Sequence, residues 1–334
     1  MSRLLKENSG VMFASLRLPS TALCLLFLPA ALPAQLRVTA LTVTTDVAGF
    51  YAANSWGNLR GQKRFTTPLL NLTFVTDSGF LLTQRDEADR ALPASLRLTG
   101  FDRIDYQEIA DTVHDAFVAA LQAQGFEVMP YDPLAVDPGF QELAHHAQRT
   151  GRDEPPPAVY EATAGLSGAR RTVTYVGHRC PWIPSFMLDN FLPATRLTQS
   201  LGATLPIVSF LVEFTAYSAD RTSTYDWKAF MPAPPGPGVP LLRARPEVYV
   251  SAGTAAFLTP NGQTATLTLT TPIGTERAFV ASLAAVRGRS KEERHGGAYE
   301  VRIDPAAYRE AVIDVLKPQV EAIARRLAAA TPTP

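Results

Sequence analysis

The chain has 334 residues, carries 31 basic and 31 acidic side chains, and is charged at only 19% of positions. That length can bury a large core as one big domain or two small ones. The balanced charge leaves no basic excess to draw a phosphate backbone, which argues against a nucleic-acid partner.

The first 34 residues read as a secretory signal. Met12-Phe13-Ala14-Ser15-Leu16-Arg17 supplies a short, weakly basic start, so either Met1 or Met12 can open the chain. Thr21 to Leu28 is apolar but too short to span a bilayer, and Leu32-Pro33-Ala34 offers a small-residue cleavage point before Gln35. Cys24 follows Leu23 inside the apolar run, which is not where a lipid-anchor cysteine stands. Once the segment is removed Cys180 is the sole cysteine, so no intramolecular disulfide can form. No later stretch is apolar enough to cross a membrane as a helix. The expected location is exported: periplasmic or outer-membrane associated.

Residues 35–94 form a β-rich segment. It opens on an alternating run, Leu36 to Val43. Phe50, Tyr51 and Trp56 then stand among glycines. That mixture makes a binding loop, or a loop whose aromatics tuck beneath a sheet. Leu69 to Val75, a turn at Asp77-Ser78-Gly79 and Phe80 to Leu82 predict a hairpin. Gln84 to Arg90 is a charged connector.

The stretch from Ser95 to Asp132 organises the rest. It reads as strand (Ser95–Thr99), helix (Asp105–Gln124) and strand (Phe126–Met129), a β-α-β unit. Asp105 with Glu108 predicts a capping box. Ile109, Val113, Phe117 and Leu121 make one apolar stripe, and Gly125 suits a left-handed C-cap. Asp137 caps a second helix from Pro138 to Arg149, which the prolines at 155–157 end.

Farther on, Arg171–Val176 reads as a strand. Two short helices follow, Phe186–Leu192 and Pro193–Ser200, with Gly202 as terminator. Ile207–Ser218 is the strongest strand signal, and the proline-rich stretch 227–246 reads as an extended loop. Residues 247–286 are β-rich, with Asn261-Gly262 as a hairpin turn. Tyr299–Ile303 is a short strand. Asp304 and Pro305 open a closing helix, which Pro318 should kink or split, and residues 331–334 read as a disordered tail.

Motifs for chemistry are sparse. His145 and His146 are adjacent on a helix and point about 100° apart, so they do not readily share a metal. His114 and His295 have no partner at metal-ligand spacing. His178-Arg179-Cys180-Pro181-Trp182 follows a strand end, where open α/β sheets place ligands. His178 with Cys180 is a conceivable nucleophile pair, and an inert buried cysteine is the other reading. Phosphate-binding loops are absent, and Gly165-Leu166-Ser167-Gly168 is one residue short of a nucleophile elbow. Nothing calls for a cofactor or a metal.

The order of elements from Ser95 to about Leu283 resembles the curli-secretion-channel family and the related periplasmic domains of polysaccharide-export lipoproteins. Carrying the likeness are a strand ending in Gly100-Phe101-Asp102, a helix closing on Gln124-Gly125-Phe126, and a helix ending at Leu201-Gly202-Ala203 with the strand Ile207 to Phe214 directly after it. The resemblance implies a bacterial envelope location, self-association and a part in secretion or envelope assembly without catalysis. The anchor cysteine and the pore-constriction loop of that family have no counterpart here, so no functional residue carries over.

The expected fold is α/β (α+β), a mixed sheet with flanking helices around a β-α-β unit, with a β-hairpin extension in the C-terminal half. Three functions remain open. The first is a non-enzymatic envelope protein acting through contacts with other envelope proteins or with itself, by the 247–286 hairpin and the proline-rich loop. The second is a small-ligand or glycan-binding module using Phe50, Tyr51 and Trp56. The third is a hydrolase using Cys180 and His178, with Trp182 beside them.

Overall fold

A computed structural model describes residues 39–40, 47–83, 91–149, 158–163, 169–177, 180–181, 183, 188–214, 216–217, 244–245, 247–275, 277–286 and 298–331. The chain divides into units Met1–Gln35 and Leu36–Pro334, and every described residue belongs to the second. The expected signal segment and the charged connector Gln84–Arg90 lie outside the described residues, as does most of the proline-rich loop.

In chain order the first elements are β1 (Thr39–Ala40), a 3-10 turn Val47–Phe50, β2 (Tyr51–Asn54), a second 3-10 turn Trp56–Leu59, and β3 (Arg64–Phe65). Next come β4 (Leu69–Thr83) and β5 (Ala91–Thr99). The expected turn at Asp77-Ser78-Gly79 is not made, because β4 is a single strand of 15 residues. Asp77, Ser78 and Gly79 instead lie opposite Arg97, Leu96 and Ser95 of β5. Cross-strand pairing of this kind overrides a local turn preference.

Helix α1 (Arg103–Ala123) starts earlier than expected. Its cap is Asp102, whose side chain accepts from the amides of Ile104 and Asp105, while Asp105 accepts from the Asp102 amide at 3.0 Å. The capping box is therefore shifted by three residues, and Asp105 is its second member. Ile109, Val113, Phe117 and Leu121 are fully buried, and Gly125 adopts φ 83° as the C-cap requires. The return strand β6 (Glu127–Val128) pairs in parallel with β3, not with β5. It is only two residues long, and Pro130 closes off the ladder soon after.

The chain continues through α2 (Tyr131–Ala135), α3 (Pro138–Arg149), β7 (Ala158–Thr163) and β8 (Ala169–Val176). A single helix, α4 (Leu188–Leu201), stands where two were expected, with Pro193 inside it. Proline there removes the amide that would donate to the Asp189 carbonyl, and the helix continues one bond short. Then come β9 (Leu205–Glu213), β10 (Ala216–Tyr217), β11 (Ala244–Arg245), β12 (Val248–Leu258), β13 (Thr264–Leu269), β14 (Ile273–Thr275), β15 (Val280–Val286) and β16 (Ala298–Ile303).

The closing helix α5 (Pro305–Ala330) runs unbroken for 26 residues through Pro318. Next to that proline, the Gln319 side-chain amide donates to the Val315 carbonyl at 2.9 Å. Thr331, expected in the disordered tail, caps the helix: its amide and hydroxyl donate to the Leu327 carbonyl at 3.1 and 3.0 Å.

The main sheet runs β1-β14-β12-β9-β4-β5-β16-β15, with β13 beside β12, β2 beside β13, β8 beside β4 and β7 beside β8. It is mixed: β4 is parallel to β9, and β5 to β16, whereas β4 and β5 are antiparallel. Alternation along the strands sends consecutive residues to opposite faces. Leu70, Leu72, Phe74, Val208, Phe210 and Val212 join the large core beneath α1 and α5. Leu69, Leu205, Ile207 and Leu258 join a smaller core with Leu143 of α3 and Leu197 of α4. Arg309 ties the two large helices together, at 2.7 Å from Asp105 and 2.8 Å from Glu108. Among the described residues no helix is long and apolar enough to cross a membrane.

The Asn261-Gly262 hairpin forms as expected, with Gly262 at φ 73° and the Gly262 amide donating to the Thr259 carbonyl. It is not a free edge. β9 covers one flank of β12, and β2 covers the outer flank of β13. Ala255, Phe257, Ala265 and Leu267 are buried in the large core, which draws both strands into the sheet.

Candidate interaction surface

The aromatic residues at the N-terminal end are part of the core. Tyr51 is 4% exposed, and its hydroxyl donates to Gln319 Oε1 at 2.8 Å. Burial raises its pKa well above the ordinary phenol value. Trp56 is half-buried and meets the Phe257 ring edge-on at 5.6 Å between centroids. Phe50 also packs against the large core, and its carbonyl accepts from the Thr270 amide and hydroxyl, both at 2.8 Å. The Tyr51 and Trp56 side chains are thus engaged with α5 and β12, and the Phe50 carbonyl with the residue after β13.

Cys180 lies in the smaller core, reduced and 4% exposed. Its thiol sits 3.8 Å from the Pro68 carbonyl. Burial, with the Asp111 carboxylate adding to it, pushes the thiol up to about 12. A nucleophilic cysteine needs the opposite shift. His178 and Trp182 lie outside the described residues.

The histidine that the structure brings near this corner is His114 of α1. Its Nε2 lies 3.2 Å from the Thr67 hydroxyl, and its Nδ1 lies 3.5 Å from the Asp115 carboxylate. Gly177 permits this packing, since a Cβ there would stand 2.6 Å from His114 Cβ. Gln107 of α1 reinforces the contact by donating to the Val176 carbonyl at 2.8 Å. No sequence spacing links His114 to Thr67 or Gly177. Only the docking of α1 on the end of β8 joins them.

The sheet has one end from which chain repeatedly leaves and returns. β5 and β8 run antiparallel to β4, β9 runs parallel to it, and β12 runs antiparallel to β9. β16 follows β5 in parallel and β15 opposes β16, while β7 opposes β8. Strands β4, β7, β9 and β15 therefore all point toward this end, and β5, β8, β12 and β16 all come back from it. At this end β4 leads into β5, β7 into β8, β9 into β12 and β15 into β16. The third of these returns is gripped at its root by β10 and β11, with Tyr217 opposite Ala244.

A charged, bonded row crosses the sheet short of this end, six residues before β4 finishes. Asp77, Arg97 and Glu300 occupy one row across β4, β5 and β16. Arg97 Nε donates to Asp77 Oδ1 at 2.7 Å. That bond and the Asp77 charge raise the Arg97 pKa, with Glu300 adding to it. The row ends on β15 at Ala284, opposite Glu300. At the root of the long connection, Glu213 is buried and accepts from the Tyr249 hydroxyl at 2.8 Å, and Glu247 is buried two residues before Tyr249. Asp77, Arg97 and Glu300 are too far apart in sequence for any spacing motif, and only strand register aligns them.

Set against protein-family models, curated proteins and solved structures, the chain matches none.

Proposed function

We propose that this chain is a non-enzymatic exported protein of the bacterial envelope, acting in assembly or secretion through protein–protein contacts. One observation carries the reading. A sheet packed between helices on both faces has four strand-to-strand returns at a single end. Loops presented together by a rigid scaffold are a common way to build a binding surface. The secretory character of residues 1–34 supports export, and the element order supports the resemblance to envelope-assembly proteins. The buried, bonded positions of Tyr51 and Cys180 favour neither a ligand loop nor a nucleophile.

The test joins Tyr217 to Ala244 through Asn-Gly, since these two residues already face each other across β10 and β11. Protein isolated from the envelope of its own host is sized by light scattering, with mass spectrometry of its N-terminus. The expected result is a mature chain beginning at Gln35, in an assembly heavier than one chain that the shortened variant does not form. A monomer in both cases, or the same assembly in both, overturns the reading.

A further inference from the structure

We infer that Asn261 is a modification site gated by the fold. Spontaneous deamidation at the Asn261-Gly262 bond proceeds only in molecules whose β12–β13 turn has opened, and so marks them chemically.

The pair of residues supplies the chemistry. Asn261 is exposed, and Gly262 has no side chain to shield the nitrogen between them. In the reaction that nitrogen gives up its proton and forms a bond to Asn261 Cγ. The Cγ–Nδ2 bond breaks, and the side-chain nitrogen takes up a proton and leaves as ammonia. Water then opens the five-membered imide. Opening at one carbonyl leaves aspartate at position 261. Opening at the other leaves isoaspartate, whose main chain runs through Cβ. Water is the one co-reactant, and nothing is oxidised or reduced.

The closed turn opposes the first step. The Gly262 amide donates to the Thr259 carbonyl at 2.9 Å, so the proton that must leave is held in the bond that closes the turn. The same carbonyl accepts from the Thr198 hydroxyl of α4 at 3.3 Å. Thr259 is fully buried and is bonded twice more to Gln263. Its amide donates to the Gln263 carbonyl at 2.9 Å, and its hydroxyl accepts from the Gln263 amide at 3.1 Å. Pro260 fixes its own backbone angle within the turn. On either side the strands run into the cores, with Phe257 and Ala265 in the large one and Leu258 in the smaller. Swinging the Gly262 nitrogen onto Asn261 Cγ breaks the closing bond against all of these restraints. Opening of the turn is therefore the step that admits the reaction. Isoaspartate then adds a methylene to the main chain between Thr259 and Gln263, so a modified turn does not reclose on the same bonds.

The test holds the full chain at physiological pH and temperature, folded in buffer and unfolded in guanidinium chloride. Samples are digested at intervals. Chromatography with mass spectrometry then separates peptides carrying asparagine, aspartate or isoaspartate at position 261. Deamidation should be at least about tenfold slower in the folded chain than in the unfolded one. P260G removes the proline restraint and loosens the turn. It should speed deamidation of the folded chain about fivefold and leave the unfolded rate unchanged, with circular dichroism checking that the variant is folded. Equal rates in the folded and unfolded wild type overturn the inference. So does a folded P260G that deamidates no faster than wild type. If P260G does not fold, the wild-type comparison alone decides.

Discussion

At the scale of single residues, two buried groups decide what the chain tolerates. Gly177 brings the end of β8 against α1, and a methyl group there would collide with His114 Cβ at 2.6 Å. Gly177→Ala should cost about 1–3 kcal/mol, as overpacking does elsewhere, and lower the urea midpoint without changing the slope. Cys180 is the second. Its thiol rises from 9.0 to about 12, and the hydroxyl of Tyr175 rises from 10.0 to about 12, both mainly by burial. Acids with folded pKa values above their unfolded ones contribute stability that is complete below the unfolded pKa. It is lost as pH climbs toward the folded value. Urea midpoints measured against pH should therefore hold steady below pH 9 and decline from there toward pH 12. Cys180→Ala should flatten part of that decline, and an unchanged profile would show that the thiol is not protected.

Among the elements, α1 and α5 show how local rules and tertiary packing share the work. Asp102 caps α1 through two backbone amides, so Asp102→Ala should cost about 1 kcal/mol, read by thermal denaturation. Asp105→Ala is expected to add to this, because Asp105 also holds Arg309 of α5 at 2.7 Å. In α5, Gln319 serves two partners, accepting from the Tyr51 hydroxyl and donating to the Val315 carbonyl. Gln319→Leu leaves the Tyr51 hydroxyl buried without its acceptor, a loss of about 1–3 kcal/mol. Adding Tyr51→Phe should return part of that stability, and a double-mutant cycle by urea denaturation measures how much.

For the whole molecule, the sheet with the two cores on its faces is the unit of stability. The root of the longest connection, β10 with β11, pairs separately from the main sheet. Closing it from Tyr217 to Ala244 should leave the melting temperature within about 2 °C while removing the association that the connection carries. A large fall in melting temperature would show that the stretch is part of the core.

The sequence by itself determined the elements whose signals are local. The stripe Ile109–Val113–Phe117–Leu121, the Gly125 cap, the Asn261-Gly262 turn and the Asp304-Pro305 start all depend on neighbours within a few residues, and all stand in the structure. Tertiary structure decided wherever partners are distant in the chain. Register with β5 straightened β4 through Asp77-Ser78-Gly79, and β3 captured β6. Packing carried α4 and α5 through Pro193 and Pro318. Tyr51 and Cys180 were placed in the same way, by burial in the two cores. The Asn261-Gly262 hairpin lost its free edge for a related reason, since β9 and β2 pair with its two flanks. Pairing order is a property of contacts across hundreds of residues, and local propensity carries no record of it.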